Sequence, residues 1–199
     1  MTPESVQNAL NVSRETLDKC AAYLALLEKW QNSVNLVARK TLDIAWQRHI
    51  LDSGQLARYL PEGCKVILDV GSGAGFPGLV LSIMQDARVH LVESDHKKTV
   101  FLQTVIRELD LTATVHNERI ESLPAMAPDV ITARAFAPLG KAIGLMAPHM
   151  APHTVLLLLK GRNVEEELTE MPDYPIMSAV TYPSLSDPEG VVLQLTQDQ

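Results

Sequence analysis

Residues 66–78 restrict the possible folds of this chain more than any other stretch. Val66-Ile67-Leu68-Asp69-Val70 is a short apolar run, and it ends in Gly71-Ser72-Gly73-Ala74-Gly75-Phe76-Pro77-Gly78. Glycines let the backbone turn sharply and approach a ligand closely. Pro77 suits the first turn of a following helix, where a missing N–H costs little. A strand, a glycine-rich loop and a helix in that order open a nucleotide-binding βαβ unit. Glu93 closes the next apolar run, about twenty residues further on, where an acid can bind ribose hydroxyls.

The rhythm continues beyond the loop. Arg88 to Val92 reads as a second strand, and Ser94-Asp95 caps a helix carrying Val100, Phe101, Val105 and Leu109. Leu111 to Val115, Asp129 to Ala133 and Thr154 to Leu159 are further strand candidates. Ile176 to Tyr182 and Val191 to Leu195 are weaker ones that could pair as a terminal hairpin. Alternating strands and helices imply a mostly parallel sheet covered on both faces, a Rossmann-like α/β fold.

Residues 1–60 differ. Ser13 is a plausible N-cap, and Leu17, Cys20, Leu24 and Leu27 follow at helical spacing to about Trp30. Thr41 and Asp43 suggest a second helical start with Ile44, Ile50 and Leu51 on its apolar side. Pro61-Glu62-Gly63 then breaks the pattern. The chain of 199 residues thus divides into a helical extension, 1–60, and an α/β domain, 61–199.

Two cysteines, Cys20 and Cys64, lie far apart, so neither a disulfide framework nor a metal site is expected. Met1 to Asn11 lacks the basic-then-apolar pattern of a secretory signal, and Val155 to Leu159 is too short to span a bilayer. A cytoplasmic monomer without membrane contact is the expectation. The formal charge of -7 taken alone argues against nucleic acid. Basic residues nevertheless cluster at Arg39-Lys40, Arg48-His49, Lys97-Lys98 and Lys160 to Arg162, and any one of these could be an ordinary solvated face.

The loop permits two cofactors. A dinucleotide would set its pyrophosphate on the helix end. S-adenosylmethionine carries an ammonium and a sulfonium and no phosphate. Asp69, just ahead of the first glycine, would repel the first ligand and attract the second. A structural turn without ligand is the remaining reading.

Several stretches resemble one family, the guanine-N7 methyltransferases of bacterial 16S rRNA, also called glucose-inhibited division protein B. They are Trp30 to Leu36, Arg48-His49-Ile50-Leu51-Asp52-Ser53, Asp69 to Gly78, Leu91 to Ser94, Lys97-Lys98 with Phe101-Leu102, Arg134 to Leu139, and Lys160-Gly161. The glycine loop is general to methyltransferases; the segments at 48–53 and 134–139 are more specific. The resemblance implies a class I S-adenosylmethionine-dependent methyltransferase acting on 16S rRNA, within a ribosomal small-subunit particle. It implies cofactor contacts at Gly71, Phe76, Ile120, Glu121 and Arg134, beside the Asp69, Gly73 and Glu93 read from the loop. Arg134 and Arg119 are the candidate catalytic residues. One departure stands out: the family commonly ends in a basic segment, and here no basic residue follows Arg162.

Other residues have plainer readings. His49 beside Asp52 reads as a hydrogen-bonded structural histidine, Arg48 and Asp52 as a pair across one helical turn, and Trp30 as core. Glu165 to Glu167 read as a solvated helix start. Lys160 stands evenly between a functional and a structural role. A methyltransferase acting on a small molecule, or a non-catalytic nucleotide-binding module, are the alternative functions.

Overall fold

The computed structural model describes residues 1–170 and 177–197. Its strands are β1 (Val66–Val70), β2 (Arg88–Val92), β3 (Ala113–His116), β4 (Val130–Arg134), β5 (Val155–Lys160), β6 (Met177–Pro183) and β7 (Val191–Gln197). They form one seven-stranded sheet in the order β3-β2-β1-β4-β5-β7-β6. β1 to β5 pair in parallel, and β7 runs antiparallel to both β5 and β6. The Rossmann-like expectation holds, and so does the terminal hairpin. The expected start of that hairpin at Ile176 lies outside the described residues.

Successive side chains of a strand face opposite ways, and both faces are covered. Ile67, Val89, Leu91 and Leu157 pack on one side with Leu79 and Leu81 of α4 (Gly78–Met84) and with Phe101 and Leu102 of α5 (His96–Leu109). Leu68, Val70, Leu156 and Leu158 pack on the other with Ile143 and Met146 of α6 (Leu139–Met146). Asp95 caps α5, its Oδ1 accepting the Lys97 N–H at 2.8 Å. The strand order reverses between β1 and β4, and the carboxyl edge at such a switch point is where open α/β sheets bind ligands.

The extension completes the first layer. Ser13 caps α2 (Arg14–Gln31), with its hydroxyl accepting the Thr16 N–H at 3.1 Å. Leu17, Cys20, Tyr23 and Leu27 are buried, and α2 lies against α4 and α5. Trp30 packs on Phe101 with ring centroids 5.7 Å apart, so it is core. A short helix, α1 (Pro3–Leu10), precedes α2 and buries only Val6; so weak an apolar stripe gives little sequence signal.

The second helix expected from Thr41 is not regular. A 3₁₀ turn (Arg39–Thr41), a π-helical stretch (Trp46–Leu51), one α-turn (α3, Asp52–Gly54) and a 3₁₀ turn (Gln55–Tyr59) follow one another. Ile44, expected on the apolar side, is 47% exposed. Instead His49, Ile50, Leu51, Asp52 and Ser53 are all buried in succession. A 3.6-residue period cannot bury five consecutive residues on one face, so tertiary contacts override the local preference here, and π-turns of this kind recur at functional sites.

Candidate active site

The loop after β1 opens a cavity lined by Val70, Gly71, Glu93, Arg119, Ile120 and Phe136, among others. Gly71 sits at φ 66, and a Cβ there would meet Phe136 Cδ2 at 2.5 Å. Only glycine allows this turn and this approach together. Glu93 Oε2 accepts the Gly73 N–H at 2.8 Å and Oε1 accepts the Asp95 N–H at 2.8 Å. Each carboxylate oxygen keeps a further lone pair for a ligand hydroxyl. Glu93, Glu118 and Glu121 line this cavity together with Arg119 and Lys141.

This donor set fits S-adenosylmethionine and opposes a pyrophosphate. A loop N–H that would cradle phosphate is already bonded to Glu93, and the cavity is richer in acids than bases.

A second cavity adjoins the first across Phe136 and Ala137, which line both. Its wall runs along the carboxyl edge from Arg134 through Lys160 to Asp187 and Gly190 in the turn before β7, with Arg48 and Asp52 contributed by the extension. Ala135, between Arg134 and the shared wall, takes φ 51. That left-handed conformation costs a non-glycine residue energy and persists where surrounding structure fixes it.

Arg134 ends β4 and its side chain is 14% exposed. Its Nη1 donates to the Arg48 carbonyl at 2.9 Å and to Asp52 Oδ2 at 3.3 Å, and its Nη2 to His49 Nδ1 at 3.2 Å. The guanidinium also lies 5.0 Å from the centroid of the Phe76 ring. Asp52 is the hub of this network. Its Oδ2 also takes Arg48 Nη1 at 3.1 Å, and its Oδ1 takes Ser186 Oγ at 2.5 Å and Gln55 Nε2 at 3.3 Å.

His49 is fixed in one tautomer by its partners. An arginine only donates, so Nδ1 accepts. Nε2 then carries the proton and donates to Thr41 Oγ1 at 2.9 Å, while the Thr41 hydroxyl donates to the Ala38 carbonyl at 2.6 Å. Burial, then the charges of Arg134 and Arg48, push the His49 imidazole down to about 3. The histidine is therefore a neutral structural member of the network, stacked on Phe76 at 4.7 Å, and the Arg48–Asp52 pair exists as read.

The structure separates the sequence-derived site residues. Gly71, Glu93, Arg119, Ile120 and Glu121 line the first cavity. Arg119 lines that cavity and not the second one. Arg134 lines the second cavity alone. Asp69 and Phe76 line neither. Asp69 is fully buried beneath the loop, where Thr132 Oγ1 donates to its Oδ1 at 2.8 Å. Burial pushes its carboxyl up to about 6 against the hydrogen bonds it receives. Phe76 is core, between Tyr23, His49 and Arg134. Gly73 serves the loop through its N–H to Glu93.

Glu167 corrects the reading of residues 165–167 as a solvated helix start. Its Oε2 accepts Lys160 Nζ and the Leu139 N–H, each at 2.6 Å. It thereby ties β5 to the first turn of α6 and holds Lys160 at the second cavity. Sequence reasoning missed this pairing, as it missed Ser186 and Asp187; one glutamate in a run of three carries no mark of its partner. Among the described residues no group of three or more His, Cys, Asp or Glu side chains could hold a metal, and no helix is long and apolar enough to cross a membrane.

Comparison with known proteins bears on this arrangement. Residues 16–190 match the model of the GidB family, described as rRNA small subunit methyltransferase G. The chain belongs to the GidB family. A ribosomal RNA small subunit methyltransferase G of Rhodospirillum rubrum is 47% identical over 195 residues, covering 98% of this chain and 97% of that protein. Its counterpart in Rhodospirillum centenum is 49% identical over 191 residues, with coverages of 96% and 88%. Among solved structures, a putative S-adenosylmethionine-dependent methyltransferase of Methanococcus maripaludis aligns with a TM-score of 0.61 at 12% identity, over 80% of this chain and 92% of that one. A SAM-dependent methyltransferase of Aquifex aeolicus aligns at 0.59 and 16%, with coverages of 81% and 95%. These structural likenesses show the shared fold, and the GidB matches show the family.

Proposed function

We propose that this chain transfers the methyl group of S-adenosylmethionine to N7 of a guanine in small-subunit, 16S, ribosomal RNA, in the cytoplasm and on a ribosomal particle. The observation that carries the reading is the pair of adjoining cavities with Phe136 and Ala137 as their common wall. The first would hold the cofactor and the second the base, which would bring the methyl donor and N7 to the boundary that Phe136 and Ala137 form. Family membership sets the substrate class, as the relatives are named for small-subunit rRNA methylation.

Guanine N7 already presents an in-plane lone pair, so transfer is a direct displacement that needs no general base. When bound, S-adenosylmethionine supplies a methyl group on a positively charged sulfur. The chain's task is alignment, for which a fixed approach of nucleophile and carbon is worth several orders of magnitude. Gly71 permits the close approach of the loop, Glu93 accepts from ribose hydroxyls, and Arg119, Ile120 and Glu121 close the adenosine side. Arg134, held by Asp52 and His49, fixes the end of β4 and hence the wall that meets the base.

The target base must be unstacked, because N7 lies in the deep, narrow major groove of an RNA helix. Lys97 and Lys98 begin α5 at the carboxyl edge, and Arg39, Lys40 and Arg48 stand in the extension, so we assign the RNA-facing surface to residues 1–60 and this edge. An assembled particle would offset the unfavourable net charge by offering several contacts at once. The test is transfer of isotopic label from methyl-labelled S-adenosylmethionine to unmethylated small subunits, with free guanosine nucleotides as competitors. Label confined to the rRNA supports the reading; label on the small molecules favours the small-molecule alternative.

A further inference from the structure

We propose that Asp187 reads the Watson–Crick edge of the target guanine, an inference that rests on the guanine-N7 reading above. The second cavity holds three carboxylates, Asp52, Glu167 and Asp187. Asp52 is fully engaged by Arg48, Arg134, Gln55 and Ser186. Glu167 is paired with Lys160 and the Leu139 N–H. The Asp187 side chain takes only the Glu189 N–H, on Oδ1 at 3.0 Å, among the described residues. Its Oδ2 is free there.

The placement suits the base. Val191, one residue beyond Gly190, pairs with Lys160 at the end of β5, so the turn carrying Asp187 stands at the carboxyl edge next to β5. The cofactor cavity lies at the ends of β1 and β2. Three strand gaps separate β1 from β7, about 14 Å at ~4.8 Å per gap. A purine whose N7 faces the Phe136 wall lies between, with its opposite edge turned toward Asp187. The turn is anchored for such a task. Ser186 Oγ donates to Asp52 Oδ1 at 2.5 Å, the Leu185 N–H donates to Gln55 Oε1 at 2.7 Å, and Gln47 Nε2 donates to the Ser186 carbonyl at 2.7 Å.

The chemistry selects guanine. Its N1–H and N2–H₂ are adjacent parallel donors, and a carboxylate offers two acceptor oxygens to match them. Adenine presents an acceptor at N1 and is repelled. Methylation at N7 places positive charge on the ring, which makes N1–H a stronger donor. The Asp187 bonds therefore strengthen as the methyl group arrives, and interactions that grow in the transition state raise kcat.

The test uses small-subunit particles assembled on rRNA ligated to carry either guanine or inosine at the methylated position. Inosine keeps N7 and N1–H and lacks the N2 amino group. The wild-type protein should prefer guanine by about 10- to 100-fold in kcat/KM, the size of one charge-assisted hydrogen bond. Asp187→Asn keeps an oxygen for the Glu189 N–H but turns an NH₂ toward the base donors. It should lower kcat/KM on guanine below the wild-type value on inosine, because the bond to N1–H is lost as well, and bring the guanine-to-inosine ratio within about 2-fold of unity. Asp187→Ala, a second variant without that NH₂, should do the same. S-adenosylmethionine affinity, measured by calorimetry, should stay unchanged in both. If both variants retain the wild-type preference, Asp187 is not the reader, while the N7 reading stands. If the wild-type protein methylates neither particle, or methylates another atom, the N7 reading fails and this inference with it.

Discussion

Removal of the Asp52 carboxylate is the sharpest structural perturbation available. Asp52→Ala strands the Arg134 guanidinium, whose side chain is 14% exposed, with the Arg48 carbonyl and His49 as its remaining hydrogen-bond partners. It also releases Ser186 and Gln55. Breaking a buried ion pair from one side costs about 3–5 kcal/mol, because an uncompensated charge stays behind. At roughly 2–4 °C per kcal/mol for a chain of this size, the melting temperature should fall on the order of 10 °C. Arg134→Met removes the stranded charge, so the double variant should be less damaged than the sum of the singles, with a coupling of about 1–3 kcal/mol. Urea unfolding of the wild type, both singles and the double measures that cycle. Strict additivity, or a loss below about 1 kcal/mol for Asp52→Ala, would refute the role of Asp52 as the hub.

Three further outcomes follow from the same geometry. His49 is held neutral down to about 3, whereas an unfolded chain protonates it near its ordinary 6.5; its contribution is constant above that value and falls by up to ~1.4 kcal/mol per unit as pH drops from 6.5 toward 3, so His49→Gln should flatten the acid limb of stability measured by urea unfolding. Asp69 has the opposite sign: with its carboxyl raised from 3.8 to about 6, stability falls as pH rises through that window, and Asp69→Asn should be more stable than wild type at pH 7 by on the order of 1–3 kcal/mol, with no gain below pH 4. Gly71→Ala should weaken S-adenosylmethionine binding at least 10-fold by calorimetry, as its methyl displaces Phe136, whereas Gly73→Asn, with the nearest atom to a Cβ at 3.8 Å, should retain a folded chain and cost about 1 kcal/mol or less.

The sequence made the local features of the fold legible and left the long-range ones hidden. β1, its glycine loop, the Ser13 and Asp95 caps and the strand alternation depend on residues within one turn of each other, and each appears where the pattern puts it. The helical start suggested at Thr41 and Asp43 does not continue as a regular helix, because the residues that follow pack against Arg134 and Ser186, 82 and 134 positions away from Asp52. The same distance explains why the local Arg48–Asp52 pair is legible in the sequence while the role of Asp52 as the hub that orients Arg134 is not. The sequence alone suggests a ligand-facing carboxylate ahead of the glycines; an alternating strand of this sheet is covered on both faces, and burial against Thr132 keeps Asp69 from lining either cavity. The sequence does not distinguish Arg119 from Arg134 as candidate catalytic residues, and only the third dimension assigns them to different cavities.

Methyl transfer to guanine N7 in small-subunit rRNA leaves a product that can be read directly. Its most direct test is mass spectrometry of nucleosides and RNase fragments from small-subunit rRNA of a strain lacking this gene, without and with the gene restored. One 7-methylguanosine, at a single position, should be absent from the deletion strain and recovered with the wild-type gene. An unchanged 7-methylguanosine content in the deletion strain, or the loss of a methyl group from another atom, would contradict it.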